Sequence, residues 1–164
     1  MTYRVTSNLI GCQPIAVTDT VQNHPLGTIV KAVDGTYGEG EFIYLKGVAS
    51  TAVGDAVFYT LATSGDTSVT GGTARVTASA NGHLAIAMSA NVASQYGWYQ
   101  IEGLAVANTP NTVVAGAAVY VISTGALDDA VTATDLVSNA LFATADGTPS
   151  AGKALVNINR PFVA

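Results

Sequence analysis

The sequence predicts an all-β fold, a sandwich or a jelly-roll-like barrel of about ten short antiparallel strands. Three observations lead there. Ala, Val and other small or β-branched residues supply much of an apolar fraction of 49%, which suits strands and tight turns. Seventeen glycines, helped by Asn, Asp, Ser and Pro, cut the chain into short apolar runs. No stretch sustains apolar residues at the 3.6-residue period of an amphipathic helix.

The runs follow in order. Residues 28–33 (TIVKAV) and 41–46 (EFIYLK) read as the first two strands, and 56–61 (AVFYTL) follows a turn at Gly54-Asp55. Residues 74–78 come after Gly71-Gly72, and 83–88 (HLAIAM) after Asn81-Gly82. Then come 98–102 (WYQIE), 104–107 (LAVA), 118–122 (AVYVI), 140–144 (ALFAT) and 154–159 (ALVNIN). Turn signals at such regular spacing mark an all-β body. The single helix candidate is 132–139, on the strength of its composition alone.

An internal echo runs through these strands. Phe42-Ile43-Tyr44-Leu45-Lys46-Gly47-Val48-Ala49 reads aromatic-x-x-aliphatic-charge-Gly-aliphatic-Ala, and so does Trp98-Tyr99-Gln100-Ile101-Glu102-Gly103-Leu104-Ala105. Each copy leads to a Gly turn entering a Val-aromatic strand, at Gly54 and at Gly116. The echo reads as two related strand–turn–strand units in one body, although similar packing needs would also produce it. Gly47 and Gly103 then mark a bulge or a close backbone approach. Residues 27–164 form the expected β-sandwich or barrel domain. Residues 1–26 lie outside both units, either as an arm along a neighbouring subunit or as an edge strand of the same domain.

Composition also limits function. Charged residues are 10% of the chain, against about 25% in an average domain. So neutral a surface suggests that part of it is buried against a partner. Three Lys and three Arg, scattered singly, cannot neutralise a run of phosphates, so direct nucleic-acid contact is not expected. Residues 76–152 carry five acids and no Lys or Arg. Cys12 is the one cysteine, which rules out an intrachain disulfide. Leu9-Ile10-Gly11-Cys12 matches a lipobox, but the residues before it lack the apolar core of a signal peptide. The longest uncharged stretch holds Asn108-Thr109-Pro110-Asn111-Thr112 in its middle and does not read as a membrane span.

The inventory for chemistry is thin. His24 and His83 have no acid or nucleophile at a motif spacing, and Cys12 reads as a small buried hydrophobe. Asp128-Asp129 lacks the alternating acids of a calcium loop, and Gly38-Glu39-Gly40-Glu41 alternates but offers only two Glu between Gly residues, so both read as solvated turns. No catalytic residue, metal or cofactor is expected. The densest aromatic cluster is Tyr96-Gly97-Trp98-Tyr99, which belongs to the core, to a subunit contact or to a sugar-stacking site.

That cluster also carries a resemblance. Tyr96-Gly97-Trp98-Tyr99-Gln100-Ile101-Glu102-Gly103 resembles a Tyr-Gly-Trp-aliphatic-Gln-aliphatic-x-Gly strand of small structural proteins of tailed bacteriophages, with Tyr99 in place of the aliphatic residue. The segments 25–30 (PLGTIV), 114–121 (VAGAAVYV) and 152–158 (GKALVNI) are in keeping with that group, so the pattern spans roughly residues 25–160. The resemblance implies a capsid decoration or cement protein. Such a protein is made in the host cytoplasm and binds the outer shell as a homotrimer or a dimer. It bridges major capsid protein subunits non-covalently and contacts neither nucleic acid nor membrane. A tail or head-fibre component with carbohydrate-binding aromatics is one alternative, and a small hydrolase on a β scaffold is another. The candidate interface residues are Phe162, Val163, Arg160, Trp98 and Tyr96, with the N-terminal segment and the 64–72 loop beside them.

Overall fold

A computed structural model describes residues 1–7, 9–60, 80–110, 112–122, 125–132 and 134–164, together with the backbone of residues 74–75. The chain is all-β, with no helix among the described residues. Its strands are β1 (Arg4–Val5), β2 (Ile29–Asp34), β3 (Gly38–Lys46), β4 (Ala56–Tyr59), β5 (Ala74–Arg75), β6 (Gly82–Ala87), β7 (Tyr96–Asn108), β8 (Ala118–Val121), β9 (Leu127–Asp128), β10 (Leu136–Phe142) and β11 (Lys153–Val163). All pairings are antiparallel and join one sheet in the order β1-β2-β3-β7-β6-β11-β10-β8-β9, with β4 and β5 branching from β6.

The pairing pattern occurs twice. One set of neighbours is β3-β7-β6-β4-β5, and the other is β7-β11-β10-β8-β9. Each strand of the second set stands four places later in the chain than its counterpart in the first. The echo in sequence maps onto this repeat: the two aromatic copies lie on β3 and β7, and the Val-aromatic strands are β4 and β8. Gly54 and Gly116, which open those two strands, both adopt a left-handed φ, at 90° and 82°.

Both motif glycines sit where backbones come close. A Cβ on Gly47 would stand 2.2 Å from the carbonyl oxygen of Asn91, and one on Gly103 would stand 2.4 Å from that of Glu39. Gly103 has φ +101°. Beside it the β3–β7 register slips by one residue between Glu41 and Phe42, which is a bulge on β7 at Ile101. Because Gly103 tolerates this geometry, 98–102 and 104–107 form one long strand rather than the two expected.

Segment 132–139, expected as a helix, is not one. Its described part turns into β10, where Val137 and Phe142 are buried in the core. β10 fills the gap between β8 and β11, and that pairing outweighs a weak local preference. The 64–72 loop lies outside the described residues, as does most of the 74–78 run.

The core has three parts. Ala56 and Phe58 of β4 and Leu84 and Ile86 of β6 pack with Val119, Val121, Leu127, Val137 and Phe142, so the sheet folds over on itself in sandwich fashion. Ile43, Leu45, Val57, Tyr59, Ala85, Ala87, Tyr99 and Ile101 form a second cluster on the opposite faces of β4 and β6. The third joins Phe42, Tyr44 and Trp98 to Ile15, Val30 and Met88, with Tyr3, Val5, Leu9, Cys12 and Leu26 packed against it. The N-terminal segment therefore pairs with its own β2 through β1 and covers its own β3 and β7.

Candidate interaction surface

The aromatic cluster on β7 is held inward by the N-terminal segment. Trp98 is 0% exposed, and its Nε1 donates to the Gln13 carbonyl at 2.9 Å. Gln13 Oε1 accepts from Tyr44 Oη at 3.2 Å and from Asn23 Nδ2 at 3.1 Å. Gln13 N donates to His24 Nε2 at 3.2 Å, and the His24 ring lies against Tyr44 and Trp98. A backbone bridge between Asp19 and Tyr96 closes the cover. Trp98 therefore belongs to the core and presents nothing to a partner, which corrects its place among the interface candidates. Tyr99 is buried too, with Asn91 Nδ2 donating to its hydroxyl at 3.0 Å. Tyr96 is half-buried and stacks on Tyr44. Trp98 and Tyr99 thus offer no exposed platform for a sugar.

The C-terminal candidates divide by the pleat of β11. Val163 faces the core at 3% exposure, whereas Phe162 faces out. Phe162 pairs with Ser138 of β10 on one side and with His83 of β6 on the other, and His83 pairs onward with Tyr59 of β4. The His83 and Tyr59 rings are 5.7 Å apart. Burial pushes the Tyr59 hydroxyl pKa up, and the positive charge of Arg160 opposes that rise. Leu136 and Leu141 on β10 are also exposed. Between them the β10–β11 register slips, and Asn139 and Arg160 take left-handed φ values of 61° and 48°. A shallow open depression of about 370 Å³ lies there, lined by Asn139, Ala140, Leu141, Asn157, Ile158 and Asn159.

Arg160 is exposed, but its charge is committed within the chain. It pairs with Glu41, which also meets Lys31 at 3.3 Å. Glu41 stands directly opposite Glu102 in the β3–β7 ladder. The two cations offset that like-charge pairing and tie β11 to β2 and β3. Leu136 falls in the segment expected as a helix, and Leu141 and Glu41 sit in strands whose two faces cannot be told apart by local pattern.

Among the described residues, no three His, Cys, Asp or Glu side chains are grouped so as to hold a metal ion. No helix there is long and apolar enough to cross a membrane. Comparison of the chain with protein-family models, with curated proteins and with solved structures finds no match.

Proposed function

We propose that the chain is a structural virion protein that decorates a tailed-phage capsid and stabilises it by bridging major capsid protein subunits without covalent bonds. It acts as a homo-oligomer, a trimer in preference to a dimer, on the outer face of the shell. The observation that carries this reading is the exposure of Leu136 and Leu141 on β10 and of Phe162 on β11, with Leu141 lining the β10–β11 depression, on a chain with only 10% charged residues. Large apolar side chains left exposed on neighbouring strands mark association sites. Ile10 at 99% exposure and Val131 at 83% add isolated apolar tips elsewhere. The resemblance of the β7 strand to phage structural proteins supplies the class of partner. Contacts that are individually weak add up when repeated over a symmetric shell.

The experiment is quantitative mass spectrometry of purified particles. The expected result is a copy number in fixed proportion to the major capsid protein. Particles without the chain would overturn the proposal.

A further inference from the structure

A polar cluster away from this surface has a chemistry of its own. Asn108 ends β7, Lys153 begins β11, and the two are direct partners in the ladder. Lys153 Nζ lies 2.5 Å from Asn108 Oδ1. Across the same carboxamide, Asn108 Nδ2 donates to Asp55 Oδ1 at 2.7 Å. Asp55 is 2% exposed, and its other oxygen accepts from Ala52 N at 2.7 Å. The Val53 carbonyl takes a hydrogen bond from Nδ2 at 3.1 Å and from Nζ at 3.0 Å. The Gly54 carbonyl takes one from the Asn108 backbone N–H at 2.9 Å. Gly54 has φ +90°, and a Cβ there would meet Asn108 Oδ1 at 3.0 Å and Lys153 Nζ at 3.2 Å. An amine, a carboxamide and a buried carboxyl group are thus fixed against one another from three separate segments.

We propose that Lys153 and Asn108 become joined by an intramolecular isopeptide bond, with Asp55 as the acid–base catalyst. The Lys153 ammonium first gives one proton to the Asp55 carboxylate, and the neutral Nζ then attacks Cγ of Asn108, the carbon that bears Oδ1. As the N–C bond forms, Nζ passes a second proton to Oδ1, with which it is in contact. Asp55 returns its proton to Nδ2, the Cγ–Nδ2 bond breaks, and ammonia departs, taking the Oδ1 proton as the carbonyl re-forms and leaving as ammonium. In sum, one lysine ammonium and one carboxamide give one secondary amide and one ammonium ion. Nothing is oxidised or reduced, and no co-reactant is needed. Holding the amine on its target replaces a bimolecular encounter with an intramolecular step. A carboxyl group bonded to the leaving nitrogen supplies the general acid. The bond would lock the end of β7 to the start of β11, the two longest strands among the described residues.

The test is intact-mass spectrometry of the purified full chain, followed by digestion at acidic residues. Asp128, Asp129, Asp135 and Asp146 lie between the two positions, so cleavage there separates them unless they are linked. The expected mass is below the encoded one by one ammonia, about 17 Da, with a branched peptide containing Asn108 and Lys153. Both signals are expected to vanish in Lys153→Arg and in Asp55→Asn. The encoded mass in the unaltered chain would overturn the proposal whatever the variants do. So would an ammonia loss that persists in Lys153→Arg, or a full cross-link in Asp55→Asn.

Discussion

Replacing Gly103 with alanine puts a single methyl group at the point where three strands meet. Gly103 pairs with Gly40 of β3 on one side and with Ile158 of β11 on the other. The new Cβ would stand 2.4 Å from the Glu39 carbonyl oxygen and 3.1 Å from Gly40 Cα, so backbone has to move. Two costs add. An L-residue at φ +101° loses about 1–2 kcal/mol. Shifting a paired strand off its ladder adds strain of order 1–3 kcal/mol. The sum, about 2–5 kcal/mol, corresponds to a fall in Tm of roughly 5–20 °C for a chain of this size. Gly38 is the control, because its φ is +76° but a Cβ there meets nothing within 4 Å. Gly38→Ala therefore carries the conformational cost alone, on the order of 1 kcal/mol. Thermal unfolding followed by circular dichroism separates the two. A Gly103→Ala variant no less stable than Gly38→Ala would refute the close-approach explanation of the motif glycines.

Other outcomes follow from the same contacts. Gln13→Ala removes the acceptor of the Tyr44 hydroxyl, which is fully buried, and urea unfolding is expected to show a loss of about 1–3 kcal/mol. Trp98→Ala empties the core and is expected to cost about 3–5 kcal/mol, so any loss of binding in that variant reports unfolding. Phe162→Asp is expected to leave Tm nearly unchanged while weakening shell binding; a large drop in Tm would show that its ring is structural. Burial, helped by the charge of Asp34, pushes the Tyr3 hydroxyl up to about 12, and burial moves Tyr99, Tyr59 and Tyr44 the same way. Raised folded-state values stabilise the fold fully below the ordinary tyrosine value of about 10. That contribution fades as pH climbs from about 10 towards 12, because the unfolded chain ionises first. The urea midpoint should fall over that window and fall less in Tyr3→Phe; a flat midpoint would contradict this.

The strands were legible because turn residues bracket them, and the repeat was legible because its glycines are forced. Gly47 and Gly103 stand out in the echo, and both prove to be sites where a side chain would strike a neighbouring carbonyl. The same local reading failed where distant chain decides the outcome. Trp98 stays open between core, subunit contact and sugar site until residues 9–28 fold over it, and its indole partner is the carbonyl of Gln13, 85 residues away. Segment 132–139 reads as helical until β8 and β11 leave room for a strand between them. Phe162 and Val163 are adjacent and apolar, and only the register of β11 decides which one faces out. Asp55, Asn108 and Lys153 have no motif spacing at all, since sheet pairing and one turn bring them together.

Binding to the shell is the most direct test. Under the proposed decoration role, expanded shells built from the partner major capsid protein are mixed with the purified chain and sedimented, then heated to follow their disruption. Saturable co-sedimentation, a higher disruption temperature and loss of both with Phe162→Asp are the expected results. Shells that neither retain the protein nor gain stability from it would contradict the structural role.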